Sequence, residues 1–215
     1  AGVNHNGDLQ NAFQLVDQAI WAGADAVKFQ TAIPELVATE GAQKAEYQKK
    51  TTEKSETQLH MIKKLLLPME AFSEIASYCK VKDIVFFSTS FDLVSLAYLE
   101  DLGQPLHKIP SGEITNLPYL RAIAGYGKHT IMSTGMATLG EIETAIYELE
   151  SAGLPREKLT VLHCNTEYPT PMEDVNLLAM RTIGKAFDIK FGYSDHTYFK
   201  NSKELILSTS VALAK

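Results

Sequence analysis

Six short runs of β-branched and aromatic residues alternate with amphipathic stretches along this chain, and the alternation narrows the possible folds more than any other feature. ADAVKFQ at 24–30, IVFFSTS at 84–90, PLHKIPSG at 105–112, HTIMSTG at 129–135, LTVLHCN at 159–165 and DIKFGYSDH at 188–196 read as strands. Between them Leu9, Phe13, Val16 and Ile20 fall on one helical face, as do Ile142, Ala145, Ile146 and Leu149. Thr138 followed by Glu141 has the spacing of a capping box, and Gly23 and Gly153 stand where helices would stop. Strands alternating with helices build right-handed βαβ units, whose parallel sheet is covered on both faces; the apolar character of LTVLH and IVFF fits that burial.

An open doubly wound sheet gathers its ligand loops near one switch point, whereas here polar residues collect at the end of every strand. That distribution favours a (β/α)₈ barrel, in which the strand ends converge on one mouth. The expectation is a single barrel domain over residues 1–215, truncated: AGV reads as the end of a first strand, a helix is expected over 201–215, and the eighth unit is missing. The interval between Gln30 and Ile84 holds the polar segment YQKKTTEKSETQ, an insertion expected to add helix and either to cover the mouth or to form a solvated excursion.

Charge excludes some partners. A net charge of -6, with acids and bases interspersed, offers no basic field for nucleic acid or an anionic membrane. No apolar run reaches the roughly 18 residues of a spanning helix, so the expectation is a soluble, cytoplasmic protein. Cys79 and Cys164 lack metal-ligand spacing and read as small buried residues in a reducing compartment.

The strand ends carry Asn4 and His5, Lys28 and Gln30, Ser88, Thr89 and Ser90, Lys108, Ser111 and Glu113, Ser133 and Thr134, His163, Asn165 and Tyr168, and Ser194, Asp195 and His196. Two lysines in a barrel mouth are costly to desolvate unless an anion compensates them, so Lys28 with Lys108 suggests a phosphate or carboxylate ligand. Backbone N–H groups at Ser111-Gly112 and Thr134-Gly135 can complete the cradle. Glu113 reads either as a proton-handling group or as the acid of a helix start. His196 in SDH can ligate a divalent metal, although a hydrogen-bonded His is the plainer reading, and His163 reads as a satisfied core histidine. From the residues alone the chain is an anion-binding barrel with a possible metal.

GVNHNG at 2–7, AGADAVKFQT at 22–31, FFSTSFD at 86–92, KIPSGEITNLP at 108–118, MSTGMAT at 132–138, HCNTEYPTPMEDVNL at 163–177 and GYSDHT at 192–197 together resemble the N-acetylneuraminate (sialic acid) synthase family. HCNTEYPTP is similar to the family's bacterial legionaminic-type and spore-coat polysaccharide branch. The resemblance implies condensation of phosphoenolpyruvate with an N-acylated mannosamine-type sugar to a nine-carbon 2-keto acid, with release of phosphate. It assigns Lys28, Thr89, Lys108, Ser111, Ser133, Asn165 and Ser194 to phosphoenolpyruvate, and Gln30, Glu113 and Tyr168 to the sugar. Glu113, Lys108 and His196 become the catalytic set, with His196 a ligand of Mn²⁺ or Mg²⁺. Asn165 and Thr166 are exchanged relative to the neuraminate pattern, which leaves open which of the two meets the phosphate.

The family's acidic residue before Ala1, its second metal histidine and its C-terminal antifreeze-like domain, which completes a homodimer, fall outside these residues; the piece alone is expected to be inactive. The rival readings are a 3-deoxy-octulosonate or heptulosonate-type synthase, a Schiff-base aldolase using Lys28 or Lys108, and a non-catalytic sugar or phosphate binder. Arg121, Arg156 and Arg181 do not lie at strand ends, which counts against the first, since it needs cations for a second phosphate.

Overall fold

The computed structural model of the chain describes residues 1–44 and 56–197. All six expected strands form: β1 Ala26–Thr31, β2 Val85–Ser90, β3 Leu106–Ile109, β4 His129–Ser133, β5 Leu159–His163 and β6 Lys190–Tyr193. The helices among the described residues are α1 Leu9–Trp21, α2 Pro34–Val37, α3 Gln58–Leu65, α4 Ala71–Val81, α5 Leu93–Asp101, α6 Leu117–Gly125, α7 Leu139–Ser151 and α8 Leu177–Phe187. The strands make a two-stranded sheet, β1-β2, and a four-stranded one in the order β3-β4-β5-β6. The β1–β2, β4–β5 and β5–β6 pairs are parallel. The fold is therefore α/β with parallel sheets, and no barrel is closed by the strand pairings among the described residues. The helix expected over 201–215 and the centre of the expected insertion, 45–55, lie outside the described residues.

The chain divides into two compact units, Ala1–His107 and Lys108–Lys215. In the first, β1 alternates strictly: Val27, Phe29 and Thr31 are buried, while Ala26, Lys28 and Gln30 are partly exposed. Phe29, Val27 and Phe86 pack with Ala12 and Val16 of α1 and with Phe72, Ile75 and Cys79 of α4. Each fully buried side chain of this size contributes roughly 1.5–3 kcal/mol, so this cluster fixes which face of β1 turns inward. Gly2 pairs with Phe29 in parallel and its N–H donates to the Lys28 carbonyl at 2.9 Å, as expected of a strand lying beside β1. Cys79 is a free, buried thiol that desolvation pushes up to about 11, an inert packing residue as its setting in the sequence suggested.

In the second unit, α7 starts with the expected capping box between Thr138 and Glu141 and buries Ile142, Ala145, Ile146 and Leu149. Gly153 takes φ +103 after the helix, a backbone shape that only glycine adopts without strain. A Cβ on Gly184 of α8 would collide with the ring of Phe191, so Phe191 lies beneath α8. Val161 pairs with Phe191, and Met132 with Val161, which places all three on the helix-facing side. Ser133, Leu162 and Gly192, next in register, face the opposite side. That parity decides which strand-end groups share a surface.

Candidate functional site

In the second unit Lys108, only 8% exposed, donates from Nζ to Ser133 Oγ at 2.6 Å and to the Ile109 carbonyl at 2.7 Å. Because Ser133 Oγ accepts from the ammonium, its own O–H remains a donor. Ser111, in the 3-10 turn Ser111–Glu113 after β3, has its Oγ 2.9 Å from the Gly135 nitrogen, which donates to it, and 3.3 Å from Cys164 Sγ. Three strand-end loops meet at Gly135: a Cβ there would lie 2.8 Å from Thr166 Cγ2 and 3.0 Å from Ser111 Oγ. The loops can close this tightly only over a glycine.

His196 is held from several sides. Its Nδ1 bonds to the Asn165 carbonyl, so that nitrogen carries the proton and Nε2 keeps its lone pair. Ser194 Oγ lies 3.1 Å from Nε2, and the Tyr168 ring stacks on the imidazole at 4.3 Å. Beneath it, Asp195 Oδ1 accepts from the Thr197 N–H and hydroxyl at 2.9 and 2.8 Å, and the Thr170 N–H donates to the His196 carbonyl at 2.8 Å. A lone pair on a neutral imidazole fixed by a backbone carbonyl suits a divalent metal. Among the described residues, however, no group of three or more His, Cys, Asp or Glu side chains stands together so as to hold a metal ion.

Other expectations are modified. The Asn165 side chain donates to the Asp174 carbonyl at 3.1 Å, and its backbone carbonyl serves His196. Glu113 Oε2 accepts from Nδ2 of Asn116, the N-cap of α6, at 2.7 Å, and Glu113 itself ends the 3-10 turn ahead of that helix, whose first turn holds no acid. His163 corrects its reading as a satisfied core histidine. Desolvation holds its pKa below the ordinary imidazole value, and its buried Nε2 has no hydrogen-bond partner. It lies on the helix-facing side with Tyr193, its register partner, and lines a cleft of 710 Å³ between α7 and α8. That lining includes neither Lys108, Ser133 nor Ser194. The buried cation and the convergent hydroxyls lie at the strand-end cluster, outside that lining.

In the first unit Lys28 pairs with Phe87 and Gln30 with Thr89, so all four project from one face, opposite the apolar cluster. Desolvation lowers the pKa of half-buried Lys28, and no carboxylate pairs with it among the described residues. His5, expected at a strand end, is fully buried; its Nδ1 accepts from the Gly7 N–H at 3.1 Å, and its buried Nε2 has no hydrogen-bond partner among the described residues. Sequence reasoning missed a polar chain at buried His107: Gln104 Oε1 accepts from the Ser88 N–H at 3.0 Å, Gln104 Nε2 lies 3.0 Å from His107 Nδ1, and Glu100 Oε2 is 3.2 Å from His107 Nε2. A buried side chain thus satisfies the β2 backbone, which no local pattern announces. Cys164 was passed over as a site-forming residue, although HCN adjoins the quoted hydroxyls; the Thr134 and Gly135 N–H groups, expected to complete an anion cradle, donate instead to the Leu162 carbonyl at 3.1 Å and to Ser111 Oγ at 2.9 Å.

Parallel strands followed by helices, with Lys108, Ser111 and Ser133 gathered where β3 and β4 end, define an α/β protein. The chain belongs to the NeuB family, whose profile matches residues 15–212. It is 51% identical over 197 residues to the N,N'-diacetyllegionaminic acid synthase of Campylobacter jejuni, covering 92% of this chain and 59% of that protein. It is 45% identical over 199 residues to the synthase of the same name from Legionella pneumophila, covering 92% of this chain and 56% of that one. The chain therefore spans somewhat over half the length of these relatives. The crystal structure of the N-acetylneuraminic acid synthetase of Leptospira borgpetersenii, in complex with citrate, superposes with a TM-score of 0.82 at 32% identity, over 98% of this chain and 67% of that one.

Proposed function

We propose that the complete protein joins phosphoenolpyruvate to the open-chain aldehyde of an N-acylated mannosamine-type sugar, of the diacetylated kind that its relatives' names indicate, within a (β/α)₈ barrel. The observation that carries this reading is the buried Lys108 ammonium set against Ser133, with Ser111 presented by Gly135 on a neighbouring loop. A buried cation beside hydroxyl donors is suited to a phosphate or carboxylate.

Lys108, Ser111, Ser133 and Ser194 bind the donor's anionic groups, with Lys28 and Thr89 contributing further contacts and Asn165 fixing His196. Gln30, Glu113 and Tyr168 serve the sugar. The donor's methylene carbon forms the new C–C bond with the aldehyde carbon, whose oxygen takes up a proton. Water then adds to the donor's second carbon, and the C–O bond to phosphate breaks, leaving the 2-keto acid. Ammonium and hydroxyl donors fixed before the reaction stabilise the charge on the departing phosphate without reorganising. Manganese or magnesium, held in part by His196, would supply Lewis-acid polarisation of the aldehyde. The homodimer expected from the resemblance remains part of this proposal.

Phosphate release by the complete protein, followed with phosphoenolpyruvate, manganese and a panel of N-acylated mannosamine-type sugars, tests the reading. Release that requires both sugar and metal is expected. Release with phosphorylated aldoses alone would replace it with the octulosonate or heptulosonate chemistry.

A further inference from the structure

We propose that Cys164 is a positioning residue for the anionic donor: its S–H occupies a lone pair of the Ser111 hydroxyl and thereby commits Ser111 to donate its own proton to the ligand. A serine hydroxyl has one proton and two lone pairs, and the rotor ordinarily turns to suit whichever partner arrives. Here the Gly135 N–H already fills one lone pair at 2.9 Å. Cys164 Sγ lies 3.3 Å away, on a residue only 5% exposed. A thiol is a weak donor and a weaker acceptor than a carboxylate or phosphate oxygen. Once such an oxygen is present, the favourable arrangement is S–H to Ser111 Oγ and Ser111 O–H to the anion.

Two fixed donors thus convert an indifferent hydroxyl into a one-way donor, which favours an acceptor-rich ligand and disfavours a ligand N–H or O–H at that point. At Gly135 a Cβ would meet Ser111 Oγ at 3.0 Å and Cys164 Sγ at 3.4 Å, so only glycine lets the N–H approach Ser111 this closely.

The inference rests on the reading that Ser111 meets the donor, and the test separates the two. Cys164→Ala, Cys164→Ser, Ser111→Ala and the double alanine variant are made in the complete protein. The Kd of phosphoenolpyruvate is measured by calorimetry, alongside KM and kcat. Cys164→Ala should raise Kd and KM about fivefold, the worth of one modest hydrogen bond, with kcat within about twofold of wild type. Cys164→Ser, which restores a donor, should bind as wild type does. In the Ser111→Ala background, Cys164→Ala should add nothing. A merely packed cysteine gives the opposite order, with alanine tolerated and serine worse, and that order overturns the proposal, as would additive effects in the double variant. If Ser111→Ala itself leaves Kd unchanged, the assignment of Ser111 to the donor falls, and the role of Cys164 with it. If Ser111→Ala weakens binding while Cys164→Ala does not, only the Cys164 proposal is lost.

Discussion

The lysines of the two units occupy similar sequence positions and opposite physical situations. Lys108 is buried with its Nζ donating to Ser133 and to the Ile109 carbonyl. Lys28 projects from the β1–β2 face beside Phe87, desolvated and without a carboxylate partner among the described residues. The first cation is held in place by the fold; the second is tolerated at a cost that an arriving anion would relieve. Under the proposed function, the same residue type carries two duties, one of preorganised binding and one of charge compensation on ligand arrival.

The largest effect expected to separate them is on catalysis. Lys108→Ala removes the ammonium and leaves Ser133 Oγ and the Ile109 carbonyl without that donor, so phosphate release should fall by on the order of 100-fold or more in kcat/KM. Steady-state phosphate release checks it, and unchanged kinetics would move the site away from this cluster.

Lys28→Met should raise KM for phosphoenolpyruvate about tenfold, the worth of one charge-assisted hydrogen bond, and it should stabilise the protein. The sign follows from burial, which lowers the folded-state pKa below the unfolded value of about 10.4. Between those two values the unfolded chain binds more protons, so wild-type stability rises with pH across that window, and below it the full cost of the buried charge is present. At neutral pH the methionine variant should therefore melt higher than wild type. Phosphoenolpyruvate should then raise Tm more in wild type than in the variant. Lys108→Met should instead lower Tm, because it removes two hydrogen bonds. Melting both variants with and without the donor reads the contrast, and Tm shifts of the same sign would dissolve the distinction.

Why one lysine was as legible as the other, and their states were not, is a matter of range. All six strands were readable because alternation and β-branched runs are local, and the Thr138–Glu141 box because capping involves neighbours three residues apart. Lys28 and Gln30, two residues apart on β1, share a face by strand periodicity, whereas Thr89 joins them only through the pairing of β2 with β1. Partnership was not legible. The contact of Ser111 with Cys164 joins residues 53 apart, and that of Thr31 with Ser88 joins residues 57 apart. His163 was misjudged for the same reason: burial followed from its apolar strand, but whether a partner waits there depends on the packing of α7 and α8.

The smallest effect tests how independent the second cluster is of the helix behind it. Thr138 Oγ1 accepts from the Glu141 N–H at 3.3 Å, and Glu141 Oε2 accepts from the Thr138 N–H at 2.7 Å, closing the first turn of α7 only three residues after Gly135. Thr138→Ala removes the hydroxyl and keeps the second bond, so stability should fall by about 1 kcal/mol and Tm by a few degrees. KM for phosphoenolpyruvate should stay within about twofold of wild type, because Gly135 is fixed by its own contacts with Ser111 and Thr166 and not by the cap. Denaturant unfolding and KM measured on the same preparation check both halves. A KM that rises in step with the lost stability would mean that α7 orders the loop, and that the second unit's cluster is preorganised only as far as its helix is.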